Sequence, residues 1–161
     1  MATLNLGGPA PDFTLTDLQG QTLQLSALRG TPVILNFFDS ACPWCQVEMP
    51  KLSVVYRRHA DLNVHIIGVV VGRDDETSAA RFAEEHQLDI RLAVDNHHTV
   101  REAYGLERIP AIVSVDAAGH VARLYEGSAE QLSGVVEQTI LAAARSDELP
   151  AYQLVGNGCE P

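Results

Sequence analysis

Cys42-Pro43-Trp44-Cys45 sets two thiols three residues apart, a spacing at which sulfurs at the start of a helix can close a small disulfide ring. Unpaired N–H groups in a helix's first turn and the positive end of its dipole favour thiolate over thiol, and thiolate is the nucleophile. Pro43 suits the first helical position, where no hydrogen bond is lost, and Trp44 adds a flat apolar surface beside the sulfur. Such a pair can attack a partner's disulfide through Cys42 and hold it as a mixed disulfide. Cys45, one turn along and less exposed, then attacks Cys42 and releases the reduced partner. The reverse steps oxidise a partner. The expected partners are therefore protein thiols and disulfides, together with a protein that supplies or removes electrons.

Other residues invite weaker readings. Half of a zinc site is one alternative for the pair, but a tetrahedral site needs two more ligands at recognisable spacing. Only Cys159 and scattered histidines remain, so neither a metal nor a cofactor is expected. His97-His98 reads as a solvated pair at a helix start. Glu48, one turn after Cys45, could take the Cys45 proton during resolution, although a place on a solvated helix face is the plainer reading. Cys159 sits in a Gly-rich tail and reads as an exposed spare thiol, with a third redox cysteine or an intermolecular disulfide as alternatives.

The elements that must position these groups follow from the hydropathy pattern. Phe13 and Leu15, then Leu23 and Leu25, alternate with polar residues around the turn Asp17–Gly20, which predicts an N-terminal hairpin. Ser26 could cap a short helical turn ended by Gly30. The apolar run Val33–Phe38 predicts a strand covered on both faces, delivering the cysteines at its C-terminal end. Leu52, Val55, Tyr56 and His59 form the stripe of a following helix, in which Pro50 should produce a kink. Val64–Val71 is a second buried strand, and Asp74 and Asp75 precede a helix running to about His86 with Ala79, Phe82 and Ala83 inward. A strand near Leu92–Val94 and a helix from about Asn96 to Tyr104, stopped by Gly105, come next. Ala111–Val115 is a third core strand, joined through Asp116–Gly119 to a partner strand over His120–Tyr125. Ser128 with Gln131 resembles a capping box for a last helix burying Leu132, Val135, Val136, Ile140 and Ala143. This order predicts one α/β domain over residues 1–145, a mixed sheet flanked by helices, and a tail over 146–161 containing Pro150, Gly156 and Gly158.

Asn36-Phe-Phe-Asp-Ser-Ala-Cys-Pro-Trp-Cys-Gln-Val-Glu-Met-Pro50 resembles the active-site segment of thioredoxin-like proteins, and most of all the redoxins that include membrane-linked cytochrome-maturation thioredoxins. Ala10-Pro-Asp-Phe13, Pro50, Ile109-Pro110 and Asp116-Ala-Ala-Gly119 extend the resemblance over about residues 8–145. It implies a thioredoxin-like fold with an N-terminal hairpin extension and a thiol–disulfide oxidoreductase activity. It also implies that Pro110 is a cis-proline facing the cysteines and presents the backbone of Ile109 to an extended partner. An ordinary trans proline opening a strand is the alternative. Three positions depart from the pattern: Ala41 replaces Trp, Asp39 replaces Ala or Gly, and Asn36 stands where thioredoxins proper bury Asp. With no charge on Pro43 or Trp44 to hold the thiolate, the expected potential is reducing to intermediate, away from the strongly oxidising end near about −120 mV.

Two other functions share this fold. Thiol peroxidases place Pro seven and Thr or Ser three residues before the reactive cysteine, where this chain has Leu35 and Asp39. A binding module would keep the groove without turnover, which Ala41 and Asp39 would suit. Eleven basic against 21 acidic residues give a net charge of −10, which repels nucleic acid. No apolar run approaches the ~18 residues of a membrane span. Met1–Gly8 lacks the basic start and apolar stretch of a secretory signal. Taken as complete, the chain reads as cytoplasmic; a removed N-terminal segment would make it periplasmic or membrane-tethered.

Overall fold

The computed structural model of the protein describes residues 3–146 and 152–161. Its main sheet has six strands: β3 (Val33–Phe38), β4 (His65–Val70), β5 (Arg91–Val94), β6 (Ala111–Val115), β7 (Val121–Glu126) and β8 (Tyr152–Val155). They lie in the order β5-β4-β3-β6-β7-β8. β3 runs parallel to β4 and antiparallel to β6, so the strand that precedes the cysteines is central. All six of its residues are buried, as a strand covered on both faces requires. A separate hairpin, β1 (Thr14–Thr16) with β2 (Thr22–Gln24), pairs Leu15 with Leu23. It is tied to the sheet by Leu18 N–H on Leu92 O at 2.9 Å and by Arg91 Nε on Asp17 Oδ2 at 2.7 Å.

The helices are α1 (Pro43–Arg58), α2 (Glu76–Glu85), α3 (Thr99–Tyr104) and α4 (Leu132–Ala144). α1 continues through Pro50 for 16 residues and buries Cys45, Met49, Leu52, Val55 and Tyr56 along one side. Its C-terminal end meets α4, where Glu137 accepts from Arg58 at 2.6 Å and contacts His59 at 2.8 Å. Beneath α1, Asn36 Nδ2 donates to Tyr56 Oη at 2.9 Å and approaches Met49 Sδ at 3.4 Å, which locks the middle of β3 to the helix. α2 opens in a capping box between Asp75 and Ser78. α3 stops at Gly105, which adopts φ 58°.

Two expectations fail here. Ser26 lies inside the 3-10 turn Leu25–Leu28 rather than capping it. Ser128 does not cap α4 either: the helix begins after Gln131, and the Ser128 hydroxyl donates to Glu48 instead. A third difference concerns the presumed tail. Residues 152–155 form β8, parallel to β7 with Arg123 opposite Tyr152 and Glu126 opposite Val155. Residues 147–151 of that segment, Pro150 among them, lie outside the described residues.

Candidate active site

After Phe38 the chain leaves β3 and turns through Asp39–Ala41 before α1 begins. Two carboxylates brace this turn. Asp39 Oδ1 accepts Ala41 N–H at 2.7 Å. Asp74 Oδ2 accepts Ser40 N–H at 2.7 Å, while its Oδ1 accepts the hydroxyls of Ser40 and Ser78 at 2.5 and 2.6 Å. Gly72, at φ +83°, leaves the space that Asp39 fills, because a Cβ there would stand 1.7 Å from Asp39 Oδ2. The acidic residue at position 39 is thus a support for the loop that carries the first cysteine.

Cys42 is the N-cap of α1 and Pro43 its first residue, with no side chain capping that helix end. The converging N–H groups therefore favour negative charge at Cys42. Cys45, in the first turn, is fully buried. Burial pushes its thiol up to about 12, a hydrogen bond from the Asp39 backbone offsets part of this, and the charges of Asp39 and Asp74 add to the rise. One sulfur sits where thiolate is stabilised; the other is held as a thiol at neutral pH.

The sulfur bonded to Cys42 in this structure is that of Cys159, with an S–S distance of 2.12 Å and Cα atoms 6.0 Å apart. Cys45 is free. This overturns the reading of Cys159 as an exposed spare thiol. The physical reason is backbone pairing: the chain after β8 continues along the sheet edge instead of entering solvent. Gly156 N–H donates to Glu126 O at 2.6 Å, and Asn157 N–H donates to Ser128 O at 3.1 Å. Cys159 and Ile109 then exchange both of their main-chain bonds, Ile109 N–H to Cys159 O at 2.8 Å and Cys159 N–H to Ile109 O at 3.0 Å.

The Ile109–Pro110 peptide is cis, not trans. Ile109 is buried, and its carbonyl oxygen lies 3.8 Å from Cys42 Sγ. The backbone of Ile109 pairs in antiparallel fashion with the protein's own Cys159. Trp44 is 38% exposed beside the pair.

Glu48 departs from the solvated-face reading, being only 1% exposed. Its Oε1 accepts the Ser128 hydroxyl and lies 3.8 Å from Lys51 Nζ. Its Oε2 has no hydrogen-bond partner among the described residues. The carboxylate charges that act on Cys45 are those of Asp39 and Asp74. Glu126 escaped the sequence reading altogether. Buried at the end of β7, it accepts the N–H groups of Glu107 and Arg108 at 2.8 and 3.0 Å and so fixes the loop leading into Ile109. Its one sequence signal is a carboxylate at the end of a mostly apolar strand.

Residues 6–124 match the AhpC/TSA family. The chain is 35% identical over 123 residues to the thiol-disulfide oxidoreductase ResA of Geobacillus kaustophilus, covering 76% of this chain and 70% of that protein. It is 30% identical over 134 residues to the ResA of Halalkalibacterium halodurans, covering 83% and 72%. In three dimensions it is similar to the thioredoxin domain of a thiol-disulfide oxidoreductase from Bacteroides vulgatus, with a TM-score of 0.70 and 27% identity over 85% of this chain and 99% of that one. The mixed sheet flanked by helices, with its N-terminal hairpin, is thus a thioredoxin-like fold.

Proposed function

The chain belongs to the AhpC/TSA family and is a thiol–disulfide oxidoreductase, and we propose that it acts on protein thiols and disulfides by a mixed-disulfide route through Cys42 and Cys45. Cys42 is the attacking sulfur. Its thiolate displaces one sulfur of a partner disulfide, leaving Cys42 joined to the partner and a partner thiolate that takes up a proton. Cys45 then loses its proton, attacks Cys42 and forms the Cys42–Cys45 disulfide as the second partner sulfur departs reduced. A dithiol protein returns the pair to thiols and is itself oxidised. Run in reverse, the same steps oxidise the partner.

The observation that supports this reading most is the position of Cys42 at an uncapped helix terminus, next to the exposed Trp44 and 3.8 Å from the carbonyl of Ile109. A sulfur bonded to Cys42 can belong to a chain that pairs with Ile109 as an added strand. Ile109 with Pro110 supplies the edge and Trp44 an apolar contact, and Glu48, one turn after Cys45 in α1, is the residue proposed to move a proton during resolution. Among the described residues no helix is long and apolar enough to cross a membrane. A disulfide between Cys42 and Cys159 suits an oxidising compartment, which favours the periplasmic or tethered setting over the cytoplasm.

Insulin reduction with dithiothreitol as electron source tests the activity. The wild-type chain should accelerate precipitation of the insulin B chain, and Cys42→Ser should fall to the uncatalysed rate while keeping its far-UV circular dichroism. An unchanged rate in folded Cys42→Ser would reject Cys42 as the attacking sulfur.

A further inference from the structure

The stretch from Gly156 to Cys159 is seated along the sheet edge by a continuous set of main-chain contacts, and three glycines make the approach possible. A Cβ on Gly156 would lie 2.1 Å from Ser128 O, one on Gly158 2.7 Å from Ile109 O, and one on Gly127 2.6 Å from the Gly156 carbonyl carbon. Side chains at these positions would hold the segment off the sheet. Its last residue delivers a sulfur to Cys42 while pairing in antiparallel fashion with Ile109. An extended partner peptide would use the same hydrogen-bonding groups of Ile109 and the same sulfur.

We propose that Cys159 is a third redox-active residue and that Gly156–Cys159 is a tethered pseudo-substrate, which fills the partner edge until Cys45 displaces it from Cys42. The proposal rests on Cys42 being the attacking sulfur. The displacement balances without an outside oxidant or reductant. Cys45 gives its proton to solvent, and its thiolate attacks Cys42 Sγ. The Cys42–Cys159 bond breaks as the Cys42–Cys45 bond forms, and the electron pair leaves on Cys159 Sγ, which takes a proton from solvent. The protein passes from a closed disulfide isomer to an open one in which Ile109 is available. Reduction by a dithiol protein opens the closed isomer as well, the dithiol becoming a disulfide while Cys42 and Cys159 become thiols. Burial and the charges of Asp39 and Asp74 hold Cys45 as a thiol, which slows the internal displacement and lets the closed isomer persist.

Blocking free thiols in the air-oxidised full-length chain and mapping its peptides tests this directly. The expected product joins Cys42 to Cys159 and carries the label on Cys45. Gly158→Val, which removes no sulfur, should shift the linkage toward Cys42–Cys45 and place the label on Cys159. Gly158→Val should also lower the KM for insulin several-fold, because the segment no longer seats on Ile109 and the tethered competitor is lost. A wild-type map showing only Cys42–Cys45, with Cys159 labelled throughout, would overturn the proposal, as would an unchanged KM in Gly158→Val. Persistence of insulin reduction in Cys42→Ser is a separate result: it would reject the attacking role of Cys42 whatever the map shows.

Discussion

Cys45 and Cys42 are three positions apart, yet their surroundings treat charge in opposite ways. Cys42 faces the open N–H groups of α1, whereas Cys45 is buried and looks onto two carboxylates. A thiol held up to about 12, against an ordinary 9.0, has a thiolate fraction that rises about tenfold per pH unit through the neutral range. Alkylation of Cys45 by iodoacetamide should therefore climb with unit slope between about pH 7 and 10, and a plateau near pH 8 to 9 would contradict the environment described here. The same shift sets a stability term. The folded state binds this proton more tightly than the unfolded chain does, so the contribution is full below about 9 and is lost as pH rises toward about 12. Cys45→Ala should flatten that alkaline loss in urea melts recorded across the window. Glu48 and Cys159 are the residues whose setting the sequence concealed. The partner of Glu48 is Ser128, 80 positions away, and that of Cys159 is Cys42, 117 positions away. No spacing rule reaches across such separations.

Local patterns carried further among the elements. β3 over Val33–Phe38 and β6 over Ala111–Val115 coincide with their apolar runs, because strands buried on both faces leave a nearly continuous hydrophobic signature, broken here only by Asn36 and Ser114. The Asp75 start of α2 and the Gly105 stop of α3 were equally readable, since a cap and a left-handed residue are decided within a few positions. Ser128 shows the limit of such rules: its hydroxyl is engaged by a distant carboxylate, so α4 begins without it. β8 was hidden for a similar reason. Tyr152–Val155 is short and neighbours glycines, and only its pairing with β7 makes it a strand. The cap of α2 has a measurable consequence. Asp75→Ala should cost about 1 kcal/mol in denaturant unfolding, with the slope unchanged. A loss well below that would mean that the neighbouring Asp74 and Ser78 pair secures the helix start without it.

At the scale of the whole molecule, the sheet order places the two parts of the proposed site on adjacent strands. β3 delivers Cys42 and Cys45, while the loop entering β6 delivers Ile109 and Pro110 from about 70 residues further along. β7 and β8 extend the same edge and bring the C-terminal segment across it. The cysteine pair proposed to carry the chemistry could be singled out because it lies within four residues; the bonding of Cys42 to the chain's own C-terminal segment could not, because it depends on the completed sheet. An attacking sulfur at Cys42 must take part in reversible two-electron exchange. Equilibration of the oxidised and reduced protein against glutathione, followed by Trp44 fluorescence, tests it most directly. A single reversible transition should appear with a midpoint well below about −120 mV and be absent in Cys42→Ser. No transition in the wild-type chain, or one that survives in Cys42→Ser, would contradict the attacking role of Cys42.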